Sequence, residues 1–86
     1  MPKVIVTHEV DDVAHWLASG KRAEVFGTVV SDIRTFVDPE SPNRVGLSMD
    51  VPDMDAFQAV MGSPAGAGAM KYDGVRPETL VFLIES

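Results

Sequence analysis

Apolar and polar positions along the chain change their period in the order β-α-β-β-α-β. Short stretches rich in apolar and β-branched residues, at 3–8, 29–37, 44–51 and 79–85, predict four strands. Between them, apolar residues spaced by three and four positions predict helices in 11–26 and 53–72. A split β-α-β unit of this kind forms a four-stranded antiparallel sheet with its helices on one face. The sequence therefore predicts a single α+β domain over residues 1–86.

Each helical region carries signals for two short pieces. In the first region Asp11 is the predicted N-cap, and Val13, Trp16 and Leu17 form the stripe that faces the core. Gly20 ends this piece, and 21–26 adds a further turn. In the second region Asp53 is the predicted cap of 54–61. Ser63 followed by Pro64 then restarts a helix that continues to residue 72.

The strands differ in how clearly they separate two faces. The third strand alternates cleanly, with Val45, Leu47, Met49 and Val51 on one side and Gly46, Ser48 and Asp50 on the other. The second strand places Ser31, Ile33 and Thr35 opposite Asp32, Arg34 and Phe36. The last strand is apolar on both sides, although this topology puts it at a sheet edge. A second copy of the chain covering that strand is the expected solution.

Composition narrows the classes of partner. The 86 residues hold 13 acidic against 7 basic side chains, for a net charge of −6, so nucleic acid and anionic membranes are poor partners. Without cysteine, so small a domain lacks disulfides, and oligomerisation remains the expected support for its core. The chain shows neither a secretory signal nor a membrane-spanning segment, so a cytoplasmic location is expected.

The chain resembles the dimeric α+β barrel superfamily, whose small members include antibiotic-biosynthesis monooxygenases, polyketide cyclases, muconolactone isomerase and stress-responsive barrel proteins. The resemblance covers nearly the whole chain. It rests on the strand 4–8, the hairpin 29–51, the broken second helix, and residues 72–79 leading into an apolar strand. It implies a ferredoxin-like domain that pairs into a homodimer and binds an apolar or aromatic small molecule. The chemistry it implies is cofactor-independent oxygenation or an aldol-type cyclisation.

A candidate ligand wall follows from the strand faces. If the apolar side of the third strand lies under the helices, its polar side faces the interior of the barrel, with matching residues of the first two strands. Such a wall, apolar with a few polar groups, is typical of a small-molecule pocket. Alternatively, Asp32 and Arg34 are exposed at a sheet edge and Asp50 lies at a strand end. The predicted ligand-binding residues are Ile5, Thr7, Asp32, Arg34, Phe36, Ser48 and Asp50, joined by Trp16, for which a place in the core is the simpler interpretation.

Two residues are candidates for proton transfer. His8, at the end of the first strand, is the candidate general base because histidine side chains titrate near neutral pH, with a purely structural place at the strand end as the alternative. Tyr72, near the end of the second helical region, is a candidate hydroxyl donor, with helix-end packing as the alternative. The nearby Glu9, Asp11, Asp12 and His15 do not have the spacing of a known metal site, so no metal is expected.

The resemblance implies no cofactor for this chain. Haem-degrading members of the superfamily use a histidine on the second helix as the iron ligand, and this sequence has no histidine after His15. The asparagine of the first strand and the later tryptophan that the oxygenases use are also absent. Three functions therefore stay open: an enzyme, a non-catalytic ligand-binding protein, and a protein whose sheet serves only to dimerise.

Overall fold

A computed structural model describes residues 3–86, which fold into four strands and four helices. The strands form one antiparallel sheet in the order β2-β3-β1-β4, as the predicted topology requires. The predicted fold is confirmed, with each helical region divided in two. The elements are β1 (Lys3–Val10), α1 (Val13–Ala18), α2 (Lys21–Phe26), β2 (Ser31–Val37), β3 (Arg44–Asp50), α3 (Met54–Met61), α4 (Pro64–Tyr72) and β4 (Val75–Ile84).

The core lies between the sheet and the helices. Alternate residues of β1 and β3 point towards the helices and are buried, because side chains along a strand alternate between its two faces. Directly paired residues share a face, so the pairs of Val4 with Met49 and of Val6 with Leu47 form the floor of the core. The helices complete it with Trp16, Phe26, Phe57 and Ala69.

The first helix differs from its prediction in two respects. Its N-cap is Asp12, whose carboxylate accepts the backbone N–H of His15 at 3.2 Å, whereas Asp11 pairs with Arg76 at 3.0 Å. Leu17, predicted to be buried, is 46% exposed. A helix of six residues presents little more than one turn to the sheet, and in α1 Trp16 alone is fully buried.

The break between α3 and α4 follows its prediction. Asp53 accepts the backbone N–H of Ala56 at 3.2 Å, and Ser63 accepts that of Gly66 at 3.1 Å. Gly66 also lies so close to α3 that a Cβ at this position would come within 2.1 Å of the Val60 carbonyl oxygen. Gly66 thus allows α4 to pack closely against α3.

β1 and β4 are both longer than predicted. Beyond an irregularity after Thr7, Glu9 pairs with Arg76 and Val10 pairs with Val75. The Arg76 guanidinium donates to the Glu9 carboxylate at 3.1 Å, which adds a charged contact to this backbone pairing. β4 therefore begins at Val75, before the predicted strand start at residue 79.

β2 contains an irregularity that its alternation did not predict. Asp32 has a φ of 52°, and the register with β3 shifts between Ser31, paired with Asp50, and Arg34, paired with Ser48. Ser31 therefore lies on the same face as Asp50. The prediction that Ser31 shares a face with Ile33 is wrong, because the register shifts between them. Ile33 remains on the helix side.

We call the side of the sheet opposite to the helices the outer face. Its apolar residues are exposed and come mainly from the first, second and fourth strands. The exposed apolar residues of the outer face are Ile5, Phe36, Val81 and Leu83.

Among residues 3–86, no helix is long and apolar enough to cross a membrane.

Candidate functional site

A cavity of about 60 Å³ lies between the sheet and the helices. Every strand and every helix contributes to its wall, and most of the contributing side chains are apolar. Its lining residues are Val6, His8, Trp16, Arg22, Phe26, Ile33, Leu47, Met49, Phe57, Met61, Ala69, Met70, Asp73, Val75, Leu80 and Phe82.

His8 is the titratable imidazole of this cavity. The helix-facing register of β1 places it there, and it is only 3% exposed. Burial lowers the pKa of His8 below its ordinary value of 6.5, and the nearby positive charge of Arg22 lowers it further. A hydrogen bond to the Glu9 carbonyl oxygen, 3.4 Å from Nδ1, and the charge of Asp73 act in the opposite direction. The net effect favours a neutral imidazole.

Trp16 is held between two other residues of the cavity wall. Its ring meets the His8 ring edge-on, with 5.6 Å between the ring centroids and 78° between the planes. The Arg22 guanidinium carbon lies 4.4 Å from the indole centroid, within the range of a cation–π interaction. Both contacts fix the orientation of the indole. The core position predicted for Trp16 is confirmed, and it is also a cavity position.

Arg22 and Asp73 form a buried ion pair in the wall of the cavity. Arg22 Nη1 donates to Asp73 Oδ2 at 3.2 Å, and the two side chains are 14% and 3% exposed. Burial lowers the pKa of Arg22, while the Asp73 charge and hydrogen bond oppose that change. Sequence reasoning missed both residues. Arg22 lies in the predicted extra turn 21–26 and Asp73 directly follows the predicted helix end at residue 72, so neither carries a local signal of burial.

The predicted wall residues lie on the outer face or at its end, away from the cavity. The register groups Ile5, Thr7, Arg34, Phe36, Ser48 and Asp50 there, with Asp32 at the irregularity of β2. The charged members pair with one another or with Lys3. Lys3 Nζ lies 3.1 Å from Asp50 and 3.7 Å from Asp32, and Arg34 Nε lies 3.3 Å from Asp32. His8 and Trp16 are thus separated by the sheet from the predicted wall residues of the strands.

Tyr72 lies outside both the cavity and the outer face. Its side chain is 54% exposed and stacks on the His15 ring with 5.0 Å between centroids. His15 Nε2 donates to the Tyr72 carbonyl oxygen at 2.8 Å, which ties α1 to the end of α4. Tyr72 is therefore not among the residues that line the cavity with His8, and its contacts with His15 match the alternative of helix-end packing. Within residues 3–86, no group of three histidine or acidic side chains is placed to hold a metal ion.

The fold is shared with several solved structures, although no protein-family model and no curated protein matches the chain. An antibiotic biosynthesis monooxygenase superposes with a TM-score of 0.66 at 15% identity, covering 100% of this chain and 97% of the other. SnoaB, a cofactor-independent oxygenase from Streptomyces nogalater, gives 0.73 at 13% identity, covering 99% and 90%. An EthD family protein from Bacillus halodurans gives 0.56 at 19% identity, covering 100% and 97%.

These likenesses establish the fold. Because each extends over nearly all of both chains, the protein has the ferredoxin-like architecture of the antibiotic biosynthesis monooxygenases and of related α+β barrel proteins, as the resemblance implied. At identities below 20% they establish the architecture alone.

Proposed function

We propose that this protein binds an apolar or aromatic small molecule in the cavity between sheet and helices, and that His8 takes a proton from it. The observation that carries the proposal is a single buried imidazole in the wall of an otherwise largely apolar cavity. The reaction class that fits is cofactor-independent oxygenation or cyclisation, which needs a base and an oriented substrate. The fold shared with the oxygenase SnoaB supports this class.

The cavity must widen to take such a ligand. Its volume of about 60 Å³ is well below the ~300 Å³ at the lower end of small-molecule pockets. Three of its lining residues are methionines, Met49, Met61 and Met70, whose unbranched side chains repack readily. Met61 and Met70 are also only partly buried, so their movement opens the cavity without rebuilding the sheet.

A proton-accepting role suits the surroundings of His8. A base must be unprotonated before it reacts, and burial lowers the pKa of His8, which keeps the imidazole neutral near pH 7. The contact between Nδ1 and the Glu9 carbonyl oxygen favours a proton on Nδ1, so the lone pair of Nε2 is left to accept one. Tyr72 has no part in this proposal because it lies outside the cavity.

Binding and turnover test the proposal separately. Trp16 is the sole tryptophan of the chain and lines the cavity, so its fluorescence reports entry of 1-naphthol, an aromatic probe. We expect saturable quenching with one ligand per protomer. With an anthrone, a tricyclic aromatic ketone of the polyketide type, we expect uptake of one O2 per molecule and formation of the corresponding anthraquinone and water.

A His8→Ala variant separates catalysis from binding. Loss of a general base lowers turnover by roughly 100-fold or more while affinity for 1-naphthol changes little. His15→Ala is the control, because this exposed imidazole lies outside the cavity and its loss leaves turnover unchanged. Saturable binding without any turnover would favour the non-catalytic alternative. Absence of both would leave only the dimerising function.

We also propose that two copies of the chain pair through their outer faces. The outer face carries exposed Ile5, Phe36, Val81 and Leu83, and an open hollow of about 220 Å³ beside Leu83. Single exposed apolar residues are common on monomers, but several large ones on the same face indicate an interaction surface. The predicted wall residues Thr7 and Ser48 then line the closed barrel. Sedimentation should give a species of twice the 9.3 kDa protomer mass, whereas a monomer at micromolar concentration would contradict the pairing.

A further inference from the structure

Two buried polar atoms in the cavity residues have no hydrogen-bond partner among residues 3–86. They are the indole nitrogen Nε1 of Trp16, a donor, and the carboxylate oxygen Oδ1 of Asp73, an acceptor. Trp16 is fully buried and Asp73 is 3% exposed. Buried polar groups are nearly always hydrogen-bonded, so each such atom calls for an explanation.

The two atoms belong to side chains that contact the same guanidinium group. Arg22 lies against the Trp16 ring at 4.4 Å and bonds the other carboxylate oxygen of Asp73 at 3.2 Å. The indole is also fixed by the edge-on His8 ring. The donor and the acceptor thus belong to two wall residues that contact the same guanidinium group, in a cavity whose remaining wall is mostly apolar.

We propose that this part of the cavity wall selects neutral ligands that carry a hydroxyl group. The hydroxyl accepts from Trp16 Nε1 and donates to Asp73 Oδ1, so one group satisfies both atoms. The proposal rests on the proposed binding of a small molecule in the cavity and names the chemistry that decides which molecule enters. Trp16 and Asp73 are then the specificity-determining residues.

Charge explains why a hydroxyl is preferred to a carboxylate. Asp73 contributes a carboxylate to the cavity wall, and the positive charge of Arg22 is already paired with that carboxylate. A second carboxylate would meet the free oxygen of Asp73 in a desolvated setting, where like charges repel strongly. An ether offers an acceptor to Trp16 but has no proton to give to Asp73.

A series of four ligands on the intact protein tests the proposal. The probes are p-xylene, 4-methylanisole, 4-methylphenol and 4-methylbenzoate, which share one ring and differ in the group presented. The indole N–H of the sole tryptophan gives a single signal in an ¹H–¹⁵N spectrum of labelled protein, so each titration is followed at the proposed donor itself.

We expect 4-methylphenol to bind about tenfold or more tighter than p-xylene and 4-methylanisole, and to move the indole proton downfield. We expect 4-methylbenzoate to bind weakest. Asp73→Asn should reduce the preference for 4-methylphenol over 4-methylanisole, because a neutral amide oxygen is a weaker acceptor than a carboxylate. Asp55→Asn is the control, since this exposed acid on α3 is not among the cavity residues.

Equal affinities for the three neutral ligands would overturn hydroxyl selection while leaving small-molecule binding intact. If 4-methylphenol and 4-methylanisole both bind equally well and tighter than p-xylene, the ligand needs no proton to donate to Asp73. Asp73 then has no role in recognition, and the proposal fails. If none of the four ligands binds, both this proposal and binding of an apolar ligand in the cavity fail.

Discussion

His8 couples the stability of the protein to pH. Its imidazole is buried between the sheet and α1, facing Trp16 on α1, Arg22 on α2 and Asp73 after α4. Because the pKa of His8 is lowered in the folded chain, the unfolded chain binds a proton at a pH where the folded chain does not. The folded state therefore loses stability as pH falls below the ordinary value of 6.5.

We expect the free energy of unfolding to rise between pH 5 and pH 7, and His8→Gln to flatten that rise. Urea denaturation at several pH values measures both. His15→Gln is the matched control, because this exposed histidine contacts a backbone carbonyl outside the cavity. An unchanged pH dependence in His8→Gln would show that His8 titrates alike in the folded and unfolded chains.

The residues of the cavity show how far sequence reasoning extends to single positions. His8 and Trp16 were found because their residue types are chemically distinctive and their positions fit a strand and a helical stripe. Arg22 and Asp73 were missed because burial of an ion pair depends on three-dimensional contact between α2 and the end of α4. Nothing in the local pattern separates them from the exposed Arg34 and Asp55.

Among the elements, the pair of helices α3 and α4 depends most closely on one small residue. Gly66 in the first turn of α4 faces the last turn of α3, where an added Cβ would come within 2.1 Å of the Val60 carbonyl oxygen. A backbone oxygen cannot move aside as the end of a flexible side chain can. The angle between the two helices therefore depends on the absence of a side chain at this position.

We expect Gly66→Ala to lower the free energy of unfolding by about 1–3 kcal/mol, because the helices must shift to accept the methyl group. Gly68→Ala, in the same helix, should raise it by roughly 0.5–1 kcal/mol, since nothing lies within 4 Å of its added Cβ and alanine favours the helix. Thermal or urea unfolding of both variants checks the contrast. Equal effects of the two substitutions would contradict the packing argument.

The sequence predicts an element well where a local signal, such as a helix cap, defines its ends. It predicts an element less well where pairing with another strand defines them. The caps Asp53 and Ser63 lie within three residues of the N–H groups that they bind, so the sequence alone locates both helices. The irregularity at Asp32 and the early start of β4 depend on partner strands far along the chain. Alternation within one strand cannot show where its register shifts.

The whole molecule has one covered and one uncovered side of its sheet. The helices bury one side, while the outer face leaves Leu83 55% exposed among other apolar residues. The sequence anticipated this from a last strand that is apolar on both faces. Which surface covers the outer face depends on contacts between molecules. The pattern of apolar and polar residues within one strand does not show those contacts.

We expect Leu83→Asp to convert a dimer of the chain into monomers, because burying an unpaired carboxylate in an apolar interface costs several kcal/mol. Sedimentation velocity measures the change in mass. Leu17→Asp is the control, since Leu17 is similarly exposed but lies on α1 on the other side of the sheet. Dissociation by both substitutions, or by neither, would argue against pairing through the outer face.

β4 has a consequence for how the chain behaves when it is alone. It lies at the edge of the sheet, so one row of its backbone N–H and C=O groups is unpaired within the sheet, and Val81 to Ile84 are all exposed. A short, uncharged, apolar segment of this kind is the usual seed of cross-β aggregation. The proposed pairing through the outer face would therefore shield Val81 and Leu83 of this segment, and we expect protomers that are kept apart to form fibrils.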